Sequence, residues 1–528
     1  MKIIKILVNT RVQIAIICAS ILLVSSCTKK YAQINTDRNS IATIGSAELP
    51  FLFARAEEEA TPSIWNYQIA QNLFADQYAQ YFACTATYFP SDRLVIRMDW
   101  VGAAFNPIYT TVVPQLQSIF SAADPSSPEY ALANILWVLS FHRVTDYWGP
   151  IPYFGAGVPA KTVPYDPQDK IYDDFFKRLA AASAVLKANL TKKPYGDYDL
   201  MYAGDANKWF KFCNTLRLRL ALRISNVDPA RAKTEAEAAV ADGTLTTSPD
   251  DDALVKRSET GQDNNGLSIM SDWNEFRMSA SMESVLKGYN DPRMPVYFLP
   301  AQKTGTFEGE RNGLTSTELK QAINLHDANS HAGPRWASPS YGGIATYLST
   351  SQNVMATAEA YFLRAEGALL GWNMGGTAQT LYETGITNSF KQWGITDATV
   401  IANYINSTAT PIAPNDFLNS PPVTNIPVKW DPVNLAVQKE QVALQKWLAM
   451  YPDGMEAWAD YRRSRALKLY PVAHSDNPDI TNTTTQWIRR IPFLLSETQT
   501  NGAEVTKAIG LLGPGGDKVT TPLWWDKN

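Results

Sequence analysis

NVMATAEAYFLRAEGALLGWN (residues 353–373), followed across Met374-Gly375-Gly376 by TAQTLYETGITNSFKQW (residues 377–393), is the stretch that decides the fold. In the first segment Tyr361, Ala365, Ala368, Leu369 and Trp372 recur at helical spacing along one face. In the second, Thr377 has the side chain of an N-cap, and Leu381, Gly385 and Ser389 stand in line four residues apart. Small residues on both stripes let two backbones approach closely. The pattern predicts two antiparallel helices packed as a pair.

Helical patterns extend outward in both directions. Glu48 to Glu59 and Gln68 to Tyr81 have the period, the latter with Ile69, Leu73, Phe74, Tyr78 and Tyr81 in one stripe. Pro128 to Tyr147 follows with Leu132, Ile135, Leu136 and Leu139 inward, and Gly149, Pro150 and Pro152 end it. Tyr172 to Leu190 comes next. Asp205 is placed to cap a helix carrying Trp209, Phe212, Cys213, Leu216, Leu220 and Ile224. Ala230 to Ala241 stops at Gly243 and reads as half of another pair; Leu435 to Met450 and Gly454 to Leu469 read as a third. A short helical piece lies near Gly502 to Ile509. The first-quoted pair loosely resembles a tetratricopeptide unit. Between about 244 and 351 the chain is instead rich in Gly, Asn, Asp, Ser and Pro, with few periodic pieces. Irregular stretches of that length inside a folded domain are usually functional. The predicted class is therefore mostly α: a tetratricopeptide-like helix-pair scaffold with a large irregular, loop-rich insert.

The N-terminus addresses the protein. Lys2, Lys5 and Arg11 precede an apolar run from Val12 to Val24, and Ser25-Ser26-Cys27 closes it. A basic start, a short apolar core and small residues describe an export signal, and thirteen apolar residues fall short of the roughly 20 that span a bilayer. The cysteine behind them points to a lipoprotein signal over 1–26, with Cys27 the site of lipid attachment. The polar stretch 27–47 reads as a lipid-anchored tether, and 48–528 as a single α-helical binding domain. Without the three basic residues of the signal, 44 Lys and Arg face 51 Asp and Glu, a net charge of −7. That balance argues against nucleic acid as a partner. Of the four cysteines, Cys84 and Cys213 remain in the mature domain. They could pair in an oxidising compartment, although Cys213 at helical spacing with Trp209, Phe212 and Leu216 suits a buried free thiol.

Catalytic and cofactor signatures are missing. His142, His326, His331 and His474 have no zinc-type spacing, and no nucleophile elbow, dinucleotide loop or P-loop occurs. Asp250-Asp251-Asp252 and the pair Asp197 and Asp199 lack the calcium-loop pattern and read as solvated turns. No metal ligand and no cofactor is expected. What stands out is 15 Trp, 24 Tyr and 20 Phe, because flat rings stack on the apolar face of a sugar while their polar edges hydrogen-bond. Rings in polar loops are the candidates, since core packing claims them least. They are Trp65, Tyr88, Phe89 and Trp100 near the N-terminal helices, and Trp273, Trp336 and Tyr341 in the insert.

Several blocks stand out along the chain: Asp146-Tyr147-Trp148-Gly149-Pro150-Ile151-Pro152-Tyr153, Tyr202-Ala203-Gly204-Asp205 with Lys208-Trp209, Asn214-Thr215-Leu216-Arg217-Leu218-Arg219, and Asp291-Pro292-Arg293. Ala358-Glu359-Ala360-Tyr361-Phe362-Leu363-Arg364-Ala365-Glu366, Gly371-Trp372-Asn373, Asp453-Gly454-Met455-Glu456-Ala457-Trp458, Tyr461-Arg462-Arg463, Arg490-Ile491-Pro492 and Leu523-Trp524-Trp525-Asp526 complete the set. From about residue 70 to the end the chain resembles the SusD/RagB family of nutrient-binding outer-membrane lipoproteins. The resemblance implies a SusD-like fold and a non-enzymatic protein anchored by lipid to the outer membrane, facing the cell exterior. Such a protein captures oligosaccharides, or in some members peptides, and delivers them to a TonB-dependent, SusC-like transporter. A structural adaptor using the helix-pair surface is the alternative reading, and a glycan hydrolase with a carboxylate pair in the insert is a more distant one.

Overall fold

The computed structural model describes residues 44–339 and 347–527, and most of that chain is helical. Capping side chains set where the helices begin. After α1 (Leu49–Glu59) and α2 (Val113–Ala122), α3 (Pro128–Trp148) starts with Pro128 in its first turn and Ser127 accepting the Tyr130 N–H. Then come α4 (Gln168–Lys187) and α5 (Ala206–Arg223), whose Asp205 accepts from the N–H groups of Asn207 and Lys208, both at 3.0 Å. Asp228 caps α6 (Pro229–Asp242), and Gly243, with φ at +113°, ends it. The insert contributes α7 (Gly266–Ser271) and α8 (Ala280–Gly288). Helices resume with α9 (Thr357–Leu369), α10 (Ala378–Gln392) capped by Thr377, α11 (Leu435–Met450), α12 (Gly454–Ser464) and α13 (Gly502–Leu511). Consecutive helices pack together: α3 on α4, α5 on α6, and α9 on α10. α4 also meets α5, and α11 lies chiefly along α9 rather than along α12. The result is the expected mostly helical scaffold of helix pairs.

Three two-stranded ribbons organise the insert. Their strands are β1 (Phe82–Cys84), β2 (Ala253–Val255), β3 (Phe276–Met278), β4 (Phe298–Leu299), β5 (His331–Ala332) and β6 (Gln352–Met355), paired antiparallel as β1–β3, β2–β6 and β4–β5. The first two tie the insert to this scaffold and the third, β4–β5, lies within it. Pairing with β2 explains why the helix predicted from Asn353 begins only at Thr357. Residues 352–355 find hydrogen-bond partners a hundred positions away, and local periodicity does not register them. The segment predicted as a helix over 68–81 is a π-helical stretch, Gln68–Asp76, with Gln71, Asn72 and Asp76 buried.

The acidic clusters are solvated turns only in part: Asp197 and Asp250 are exposed, whereas Asp199, Asp251 and Asp252 are buried. Asp252 caps the start of α9 by accepting the Thr357 N–H at 2.7 Å, and Asp251 takes Lys211 at 3.0 Å together with the Thr246 and Thr247 N–H groups. Asp199 accepts from the N–H groups of Met201, Tyr202 and Gly204 and from the Trp209 indole at 2.7 Å. These three buried carboxylates close loops onto helices. Cys84 and Cys213 are separate buried free thiols, and burial pushes the Cys213 thiol up to about 12.

The sequence blocks that stand out meet inside the scaffold as a lattice of buried ion pairs. Arg219 holds Glu359 through two bonds of 2.7 Å, and Arg223 joins Glu456 at 2.6 Å to Asp146 at 3.2 Å. Arg143 reaches Asp453 at 2.8 Å, and Arg463 and Lys446 share Glu366 and Asp460. Planar guanidinium forks suit this task because they bind carboxylates in two places at once. Gly454 allows the lattice to close, since a Cβ there would stand 2.7 Å from the Cα of Asp76. Gly454→Ala therefore forces the start of α12 off the π-helical stretch. The expected cost is about 3 kcal/mol, read as a lowered urea midpoint; an unchanged midpoint would show that the contact yields freely.

A candidate aromatic binding face

Antiparallel pairing places Cys84 opposite Phe276, so the loop leaving β1 and the turn entering β3 emerge from the same end of one ribbon. The Thr85 N–H donates to the Glu275 carbonyl at 3.0 Å, and its hydroxyl to that of Asn274 at 2.8 Å. Asn274 turns the chain with φ at +59°, a conformation asparagine tolerates better than most residues. This geometry points the Glu275 carboxylate at the loop. Its Oε1 accepts the Tyr88 hydroxyl at 2.5 Å, and its Oε2 accepts the Gln68 side-chain amide. Desolvation, helped by the Glu275 hydrogen bond and charge, pushes the Tyr88 phenol up to about 12, so it remains a neutral hydroxyl at physiological pH.

Two exposed indoles lie close to this network along the chain. The Gln68 N–H bonds to the Trp65 carbonyl at 3.1 Å, so Trp65 stands one turn before the residue that grips Glu275. Trp273 stands two residues before Glu275, just past the end of α7. The start of α7 is pressed on the Trp65 segment: a Cβ on Gly266 would lie 2.5 Å from the Ile64 carbonyl oxygen, and the Ile64 N–H donates to Asn264 at 3.0 Å.

Exposure sorts the predicted rings. Tyr88 is 66% exposed, Trp65 59% and Trp273 40%, all high for side chains of this size. Phe89 is buried; its centroid lies 4.6 Å from that of Tyr88 and 5.5 Å from that of Trp100, so it backs the face from beneath. Trp100 is half-buried and has one side occupied by the Arg97 guanidinium, 4.2 Å from its ring centroid. Arg97 is held there by two hydrogen bonds to Asp99. Trp336 is the correction. It is 3% exposed and packs against Trp393 and Tyr451 at 5.9 and 5.7 Å between centroids, so the helices around it claim the ring as core. Tyr341 and Cys27 lie outside the described residues.

The polar part of the face escaped the sequence reading. Glu275, Gln68 and Asn274 belong to no motif; the available signal was Asp272-Trp273-Asn274-Glu275, a polar turn around an exposed indole. His331 is buried, with its ring nitrogens at 2.5 Å from the Ser271 carbonyl and 3.2 Å from that of Ala332. Burial and Arg277 pull it down to about 4, so it is uncharged at neutral pH. Among the described residues no group of three or more His, Cys, Asp or Glu is placed to hold a metal ion, and no helix is long and apolar enough to cross a membrane. The face offers flat rings, a neutral phenol, an amide and one carboxylate, a set suited to stacking and hydrogen bonding.

Residues 30–526 match the family model described as SusD-like, Susd and RagB outer membrane lipoprotein. Among solved structures, a chitin-binding SusD homolog from Flavobacterium johnsoniae is 36% identical, with a TM-score of 0.81, over 91% of this chain and 99% of that one. A SusD-like protein from Bacteroides thetaiotaomicron is 31% identical, with a TM-score of 0.79, over the same shares of 91% and 99%. A SusD homolog from Bacteroides uniformis is 30% identical, with a TM-score of 0.81, again over 91% and 99%. None of the curated proteins matched the chain.

Proposed function

The chain belongs to the SusD-like family of outer membrane lipoproteins, and on that premise we propose that it is a non-enzymatic nutrient-binding protein that captures glycans on the face around Glu275. Cys27 carries the lipid that holds it to the outer membrane, and 27–47 is the tether of a single binding domain facing the cell exterior. A TonB-dependent, SusC-like transporter receives the captured ligand. The observation that supports this reading is the set of three exposed rings, Tyr88 bonded to Glu275, Trp65 three residues before Gln68 and Trp273 two residues before Glu275, on segments joined by one carboxylate–amide network. A sugar chain presents apolar ring faces and hydroxyl edges, and this surface complements both.

The chitin-binding description of the Flavobacterium relative makes a chito-oligosaccharide the first probe. Calorimetric titration of the full chain in detergent with chitohexaose, maltohexaose and short peptides tests the proposal. Saturable binding of an oligosaccharide, with the sugar recovered intact, is the expected outcome. Silence across the panel would count against a binding role, and cleaved sugar would favour a hydrolase.

Glu275 fixes the Tyr88 ring. Glu275→Ala leaves the phenol free, and ordering it again on binding costs about 0.5–1.5 kcal/mol. The expected result is a Kd for the bound oligosaccharide raised roughly 3- to 10-fold with the melting temperature unchanged. An unaltered Kd would mean that Tyr88 is not held for the ligand.

A further inference from the structure

A second pocket opens where α12 meets the loop over 469–488. Its cavity measures about 110 Å³, below the roughly 300–1,000 Å³ common for drug-sized ligands, which limits it to a small one. Its lining includes Tyr78, Trp458, Tyr461, Tyr470 and Trp487, a density of rings matched by the absence of charge: none of the fourteen lining residues is Asp, Glu, Lys, Arg or His. Trp458 is pinned as part of the wall. Its indole donates to the Ile488 carbonyl at 3.2 Å, and the Arg462 guanidinium covers it 3.5 Å from the ring centroid. Tyr78 leans on Trp458 with centroids 5.1 Å apart, and Arg465 covers the Trp487 ring at 4.4 Å.

Two polar atoms here are unspent. The Tyr78 hydroxyl and the Trp487 indole N–H are buried and find no hydrogen-bond partner among the described residues, although Tyr78 as a whole is only 8% exposed. Leaving a buried donor unmade costs about 1–3 kcal/mol, so each marks a place where a ligand's oxygen would be stabilised. The hydroxyl of Tyr470 and the amide of Gln80, by contrast, are taken by the carbonyls of Pro421 and Tyr470. The pocket thus combines flat apolar walls, two waiting donors and no charge.

We propose that this pocket is a second ligand site, separate from the face around Glu275, which takes one neutral sugar ring. The apolar face of the sugar stacks among Tyr461, Tyr470 and Trp487 while its oxygens accept from Tyr78 and Trp487. An ionic ligand would enter without a counter-charge in the lining, which the cost of desolvating a charge disfavours. Leu94 in the pocket wall belongs to the same loop, 85–100, that carries Tyr88 and Trp100, and its carbonyl accepts the Asn477 amide at 2.8 Å. The two sites therefore draw on one loop.

The test is a titration of the full chain, labelled with nitrogen-15 at tryptophan, with glucose and with N-acetylglucosamine up to about 100 mM, where a millimolar site is saturated. One indole N–H resonance, identified as that of Trp487 by its loss in Trp487→Phe, is expected to shift and saturate. Tyr78→Phe, which keeps the ring and removes the hydroxyl, is expected to weaken that binding about 3- to 10-fold. Both variants should melt as the parent does, and Trp65→Ala should leave the shift intact. A Trp487 resonance that does not move with either sugar overturns the proposal, as does a shift lost in Trp65→Ala. A shift produced by N-acetyltryptophan amide and by neither sugar would assign the pocket to peptide side chains and equally overturn it. Because none of these readouts requires ligand on the Glu275 face, failure here and failure there are distinguishable.

Discussion

Arg293→Ala is expected to remove about 3–5 kcal/mol of stability, the range for stripping one partner from a buried ion pair. Arg293 and Asp291 are both fully enclosed, and the guanidinium holds the carboxylate through Nε at 2.9 Å and Nη2 at 2.6 Å. It also donates to the Ser389 hydroxyl at 2.8 Å and to Tyr404 and Gln445 at 3.0 Å each, so α10 and α11 converge on one side chain with the residues before α9. Alanine leaves the buried Asp291 carboxylate with the Tyr404 hydroxyl at 2.6 Å and the backbone N–H of residue 293 at 2.9 Å, and with no counter-charge. Folded proteins have about 5–15 kcal/mol in all, so the variant loses roughly a fifth or more. Urea unfolding should register a large fall in midpoint at unchanged slope. Arg293→Lys keeps the charge and loses the fork, and should fall between parent and alanine variant. A loss below about 1 kcal/mol would mean that the cluster tolerates an uncompensated carboxylate.

The second large effect is on binding. Replacing Trp65, Tyr88 and Trp273 together by alanine is expected to weaken the oligosaccharide Kd more than about 100-fold, since centrally placed aromatic side chains carry 2 kcal/mol or more each in favourable interfaces and are not fully additive. Stability should hardly move, because all three rings already stand largely in solvent. Trp336→Ala makes the opposite comparison. That ring fills a space between Trp393 and Tyr451, so its removal is a core truncation that costs stability while the exposed face keeps its rings. A triple variant that binds as the parent does would mean the glycan sits elsewhere.

Local pattern was enough for elements stabilised by their own residues. Leu435–Met450 begins and ends where its periodicity does, and Asp205 caps α5 through a side chain three positions or fewer from its partners. Where the partner is distant, the pattern misled. Residues 352–355 read as the start of a helix because nothing nearby reveals that Ala253 to Val255 will pair with them. Asp251 and Asp252 read as solvated because Lys211 and Thr357, which they satisfy, lie far away in sequence. The face shows the same division. A polar loop sequence suggests that Tyr88 and Trp273 are available, but it says equally that Trp336 is, and only the arrival of Trp393 and Tyr451 from other helices separates the cases. The blocks that carry the resemblance to the family also carry this chain's buried ion-pair lattice, while the exposed rings Trp65, Tyr88 and Trp273 lie outside them, in loops.

The central claim is that this lipoprotein holds a glycan on the rings around Glu275. Oxidative footprinting of its tryptophans by N-bromosuccinimide, with mass spectrometry of the full chain before and after loading with the oligosaccharide found by calorimetry, tests it most directly. In the free protein Trp65 and Trp273 should oxidise and Trp336 should not, following their exposures of 59%, 40% and 3%. Loading should protect Trp65 and Trp273 together. Equal oxidation of both with and without bound sugar would contradict the account.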